Sequence, residues 1–228
     1  MKKRSLFILV LITSLCISCD LDNYEGPSAG LSGRFIDSET GELVEQDIVR
    51  GTVIQLTEHG YDPVAHQYLV VKNDGSYENS MLFENTYTVQ PVRGNFVPVE
   101  PMEIYISTGT VQDFEVLPYL RIKNLDIQVT EQKIVATFNV EQNVINNISR
   151  LGLYLHTEPS VGEPIHSLSA EMNLGRTVDE SETFTLEIDL VANSSLVDPD
   201  DRHFVRVGGL ADAAEAKFNY ASAQEVEL

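Results

Sequence analysis

Thr183–Leu190, TFTLEIDL, alternates without a break: Phe184, Leu186, Ile188 and Leu190 fall on one face, Thr183, Thr185, Glu187 and Asp189 on the other. A period of two is that of a strand with one buried and one wet face; a helix would repeat its apolar residues every three to four positions. The same alternation places Ile134, Ala136, Phe138 and Val140 together in KIVATFNV, and Leu151, Leu153 and Leu155 in RLGLYLH. Nearer the N-terminus, Arg50–Thr57, Gln67–Lys72, Thr86–Val92, Glu103–Ser107 and Val111–Leu117 read as strands. Ser38–Gly41 and Asn73-Asp74-Gly75 punctuate them, and Asp-Gly accepts the positive φ values of a tight hairpin turn. Many short strands at this spacing predict an all-β chain of antiparallel sandwiches. Only Leu210–Lys217 tolerates a helical turn, or else an ordered loop.

Pro118 cannot donate to a ladder, and the strand pattern restarts just after it as YLRIKNLDIQV. The expected division is therefore residues 30–118 and 119–228. No Gly/Ser linker lies between them, which predicts close packing of the two rather than free movement.

The N-terminus reads as an address. Lys2, Lys3 and Arg4 precede a ten-residue apolar run, Leu6–Leu15. A bilayer span needs about 20 apolar residues, so this run predicts a secretory signal. The segment Cys16-Ile17-Ser18-Cys19 resembles the lipobox of bacterial lipoproteins. That resemblance implies a signal peptide over 1–18, lipidation of Cys19 and an acidic tether over 19–29. Cys16 stands where Leu is usual at −3; lipidation at Cys16 would put Leu15 at −1, where a small residue is expected. A cleaved, unlipidated secreted protein is the other reading. Asp20, Asp22 and Glu25 resemble the surface-export signals of Bacteroidetes lipoproteins, which implies anchoring to the outer membrane, facing the cell exterior.

Without residues 1–18, 12 Lys and Arg face 35 Asp and Glu, a formal charge of −23. That balance, with no basic run outside the signal, excludes nucleic acid as a partner, because phosphate binding needs clustered cations. No nucleophile elbow, His-Glu-x-x-His, Gly-rich phosphate loop or Cys/His zinc spacing is present. A non-catalytic protein without cofactor or metal is the expectation. The richest candidate segment is Thr57–Tyr68, TEHGYDPVAHQY, whose His59, Tyr61, Asp62, His66 and Tyr68 combine aromatic faces with a carboxylate. Such a set suits a sugar, which offers a C–H face to stack and hydroxyls to hydrogen-bond. His59 and His66 lack a third partner for a metal. Val197–His203, VDPDDRH, is oxygen-rich but lacks EF-hand spacing and reads as a solvated turn. The chain has no Trp, so sugar stacking would fall to tyrosines, among them Tyr24, Tyr61, Tyr119, Tyr154 and Tyr220.

LSGRFIDSETGELV (31–44), VIQL (53–56), KNDGSYEN (72–79), ENTYTVQPV (84–92) and NFVP (95–98) follow an order that resembles carboxypeptidase-regulatory-like, transthyretin-type domains. Gly33 would permit a tight strand start, Gly41 a turn, and Tyr77 and Tyr87 would lie in the core. The whole chain resembles a family of two-domain Bacteroidetes lipoproteins, through CDLDNYEGPSAGLSGRFIDSETGE, IQLTEHGYDP, FEVLPYLRI, YLHTEPSVGE and HFVRVGGL. Its second half resembles immunoglobulin or fibronectin-III-like domains. The resemblance implies a role in polysaccharide capture beside a TonB-dependent transporter; a stalk-like or adhesive protein that binds other proteins is the alternative.

Overall fold

The computed structural model describes residues 25–228; the segment expected to be a signal peptide, the expected lipidation site Cys19 and Tyr24 lie outside the described residues. Among those residues there is no helix.

The N-terminal domain holds β1 (Ala29–Asp37), β2 (Val53–Glu58), β3 (His66–Val70), β4 (Ser76–Leu82), β5 (Asn85–Arg93), β6 (Met102–Ile106), β7 (Thr110–Val111) and β8 (Phe114–Val116). One sheet runs β4-β1-β7, with β8 also on β1; the other runs β3-β2-β5-β6. Leu31, Phe35, Tyr77, Leu82, Phe114 and Val116 from the first sheet meet Ile54, Leu56, Tyr87, Val89 and Ile106 from the second in one core. Phe35 stacks on Phe114 and on Phe96, each at a centroid distance of 5.0 Å.

Three local features differ from the sequence expectation. First, β7 and β8 pair β1 in parallel; alternation sets which face a residue takes but not the direction of a distant partner. Second, Asn73-Asp74-Gly75 does turn the chain tightly, with Gly75 at φ +79°, but it passes from β3 in one sheet to β4 in the other and makes no hairpin. Third, Gly33 sits in mid-strand. A Cβ there would stand 1.8 Å from the Gln112 carbonyl oxygen, at the gap between β7 and β8, where the Tyr77 hydroxyl also donates to that oxygen. Close approach, not a strand start, demands glycine here.

The C-terminal domain holds β9 (Leu120–Val129), β10 (Lys133–Gln142), β11 (Ile148–His156), β12 (Leu168–Arg176), β13 (Thr183–Asp189), β14 (His203–Ala211), β15 (Asn219–Tyr220) and β16 (Gln224–Val226). Its sheets run β13-β10-β9 and β12-β11-β14-β15, with β16 on β14. Phe184, Leu186 and Ile188 of β13 are buried while Thr183, Thr185, Glu187 and Asp189 are exposed, and they pack with Phe138, Leu153 and Val207. Leu210 and Ala211 finish β14, and the residues to Lys217 form turns without helix.

β11 and β14 are covered on both faces. On the side away from the main core, Tyr154, Val161, Phe204, Phe218 and Tyr220 form a second small cluster, and this side carries the N-terminal domain. Arg206 is 1% exposed. It donates to Glu45 (2.6 Å), to the carbonyls of Gln46, Val161 and Ala221, and lies 4.2 Å over the Tyr220 ring. Nearby, the Asn95 amide donates to the Glu45 and Phe218 carbonyls, and Asn219 donates to the Asn95 carbonyl at 2.7 Å. On the other flank Arg121 spends all five N–H groups on Asp37, Glu39, Glu141 and Asn143. Burial works to raise the Asp37 carboxyl pKa, but the Arg121 hydrogen bond, backbone N–H donors and the guanidinium charge together hold it below the usual range.

Candidate functional site

Strand pairing gives the N-terminal domain two distinct poles. At one, β1 ends at Asp37, which Arg121 of the C-terminal domain grips. At the other, Ala29 opposes Leu82, Gly30 donates to the Ser107 carbonyl, and Asn85 opposes Ile106. This N-terminal pole also carries the β2–β3 connection, Glu58–Ala65, and the Phe83–Glu84 turn.

There Glu58, Tyr61, Pro63, Ala65, Gln67 and Phe83 line a cleft of ≈ 300 Å³, at the small end of ligand pockets, which run from about 300 Å³. Tyr61 is 59% exposed and Phe83 47%, so two aromatic rings remain in water. Glu58 is fixed by the Asn85 amide at 3.1 Å, which also donates to the His59 carbonyl. Beneath, Tyr87 donates to the Phe83 carbonyl at 3.0 Å; burial, then the nearby Glu58 carboxylate, pushes its phenol up to about 12. The phenol is therefore a fixed neutral donor under the turn that presents Phe83. The cleft offers two ring faces, a held carboxylate and an amide, and no group arranged as a nucleophile or a proton relay.

The five residues expected to act together divide between the two faces of the sheet. Thr57 opposes both His66 and Thr88, and Gln55 opposes Tyr68, so these share the outer face. His66 Nδ1 lies 2.8 Å from the Thr57 hydroxyl and His59 Nε2 2.8 Å from that of Thr88. Tyr68 stays exposed beside Gln55. Glu58 and Gln67, one register step away, face the cleft with Tyr61. Asp62 is exposed and precedes a cis peptide bond to Pro63. Phe83 was missed by sequence reasoning, as was Tyr105, an exposed outer-face residue bonded to Glu84. Tyr119, Tyr154 and Tyr220 are buried, which removes them as stacking platforms. Asp198, Asp200 and Asp201 occupy an exposed turn. Among the described residues no three His, Cys, Asp or Glu side chains converge as metal ligands.

Two tandem all-β domains joined without a linker, the first carrying an open aromatic cleft, define the class of protein. The model of the DUF3823 N-terminal domain, a protein of unknown function, matches residues 29–117, and the DUF3823_C domain of unknown function matches 120–225. The chain belongs to the DUF3823 family. A Bacteroides uniformis crystal structure named "putative carbohydrate binding protein" is similar at TM-score 0.80 and 29% identity, over 89% of this chain and all of the other. DUF3823 family proteins from Bacteroides ovatus (TM-score 0.71, 26% identity, 88% of this chain, 100% of that one) and Parabacteroides merdae (0.75, 22%, 89% and 100%) are also similar. No curated protein matches the chain.

Proposed function

We propose that this chain is a non-catalytic surface lipoprotein of the outer membrane that captures polysaccharide, using the cleft at the N-terminal pole. One observation carries the reading: Tyr61 and Phe83 hold their rings in water beside a fixed carboxylate and the Gln67 amide. Exposed rings lose apolar hydration when a sugar face covers them, and the polar groups orient its hydroxyls. The relative named for carbohydrate binding supports the same reading.

An extended chain covers at most about 3.3–3.6 Å per residue, so a lipid on Cys19 would keep Ala29, at the pole that carries the cleft, within roughly 35 Å of the bilayer. The C-terminal domain, gripped at the opposite pole, would project outward. Tethering raises the local concentration of a weak site without adding contacts. The partnership with a TonB-dependent transporter rests on the sequence resemblance, and the membrane-near position of the cleft suits delivery to such a channel.

The test is a glycan-array and pull-down screen with residues 20–228, beside a Tyr61→Ala, Phe83→Ala variant. Binding to one or more glycans, lost in the variant, supports the reading; glycan binding that the variant retains removes the cleft from it. A second reading, an adhesive protein that accepts a partner's strand, is favoured by the exposed edge of β3, whose one sheet neighbour is β2. A pilin-like protein recovered in the pull-down, without any glycan, would replace the first reading by the second.

A further inference from the structure

The carboxylates of the N-terminal domain lie at both of its poles, but its lysines and arginines do not. Between Gly51 and Leu120 the chain has only two cations, Lys72 and Arg93. Lys72 flanks the Asp74-Gly75 turn, and Arg93 donates to the Gly51 carbonyl, both toward the C-terminal domain. Arg50 reaches across to Glu163, and Arg34 lies beside Asp113. The N-terminal pole carries Glu58, Asp62, Glu84 and Glu103 and, among the described residues, no lysine or arginine. His59 and His66 face the outer side of the sheet, each on a threonine hydroxyl. The cleft therefore presents a negative field beside its aromatic rings, with no cation to receive an anion.

From this we infer that the cleft selects glycans free of carboxylate, sulfate and phosphate groups. The inference rests on the glycan-binding reading above and names its ligand class. Glu58 is the selecting residue. Already fixed by Asn85, its carboxylate accepts a sugar hydroxyl without reorganising, and it meets a uronate or sulfate with like-charge repulsion. Hydrogen bonds to a charged group are about twice as strong as neutral ones, so one side chain both favours the uncharged sugar and disfavours the anionic one.

Isothermal titration of residues 20–228 against neutral oligosaccharides, the same backbones bearing uronate or sulfate, and a Lys-rich peptide tests this. The expected result is binding of a neutral glycan at least tenfold tighter than its anionic counterpart, little changed by salt. Glu58→Gln, whose Oε1 still accepts from the Asn85 amide but which removes the charge, should narrow that gap, while Tyr61→Ala, Phe83→Ala abolishes binding of both. Anionic glycans bound as tightly as neutral ones would overturn the inference and leave glycan capture standing. A response to the peptide alone, or to no glycan at all, would overturn both.

Discussion

The seam between the domains and the cleft at the far pole use acidic residues in opposite ways. At the seam the carboxylates are answered: Asp37 and Glu39 meet Arg121, Glu45 meets Arg206, and Asp47 accepts from the Tyr220 hydroxyl. All five N–H groups of Arg121 are consumed, and Arg206 is buried with four of its five bonded, so neither guanidinium is open to a ligand in the seam groove, lined by Asp37, Arg121 and Tyr220 among others. At the cleft no cation answers Glu58, and the aromatic rings are bare. The seam is closed chemistry that fixes two domains; the cleft has groups left over for something else. In a strongly acidic protein the informative carboxylates are those held in place without a cation.

The largest effect that breaks this contrast is expected at the seam. Arg206→Ala leaves Glu45 and three backbone carbonyls without their donor. Removing one partner of a buried ion pair costs about 3–5 kcal/mol, here toward the lower figure because Glu45 is 25% exposed. Urea unfolding should show the loss, and a midpoint unchanged from the wild type would mean the seam does not stabilise the fold. Next comes Gly33→Ala. Its Cβ cannot share space with the Gln112 carbonyl, and forced overpacking costs about 1–3 kcal/mol; a variant as stable as the parent would show that the β7–β8 gap yields.

The third prediction uses pH. The Asp37 carboxyl titrates below its usual value in the folded state, so its contribution is fully present above the unfolded value, about 3.9, and is lost as pH falls through the lowered value. Melting temperature should therefore drop more steeply below about pH 4 in the wild type than in Asp37→Asn, which starts lower and is flatter. Parallel curves would remove Asp37 from the acid response. The smallest stability effect belongs to the cleft: Tyr61→Ala and Phe83→Ala should each change stability by no more than about 0.5 kcal/mol, while weakening glycan binding about tenfold or more. Tyr68→Ala with Tyr105→Ala, on the outer face, should leave binding unchanged.

Much of the fold was legible in the sequence because alternation is a local signal. TFTLEIDL and KIVATFNV place their apolar residues inside as written, and they pair with each other residue by residue from Lys133–Asp189 to Asn139–Thr183. Tyr77 and Tyr87 are core residues, as the family resemblance implies. What stayed hidden depends on partners far along the chain. Nothing local to HFVRV shows that Arg206 points into a second buried face, because its carboxylate lies 161 residues away. Parallel pairing of β1 with β8 joins segments as far apart in the chain as Phe35 and Phe114 and leaves no mark on either strand.

The candidate site was legible in part. Tyr61 stood out in its loop, yet strict alternation along His66-Gln67-Tyr68 already separates His66 and Tyr68 from the side that Gln67 faces. Phe83 left a faint trace: Met81 and Phe83 flank buried Leu82 and are both exposed, two apolar side chains that core packing does not use. Two apolar residues on the wet side of a strand end are a signal worth reading.

The most direct test of the central claim is amide chemical-shift mapping on ¹⁵N-labelled residues 20–228, titrated with a neutral oligosaccharide that binds on the array. The account predicts perturbations confined to residues 58–67 and 83–85, with the seam and the outer-face amides of Gln55 and Thr88 unmoved. Perturbations centred on the C-terminal domain or on the seam groove would contradict it and move the site.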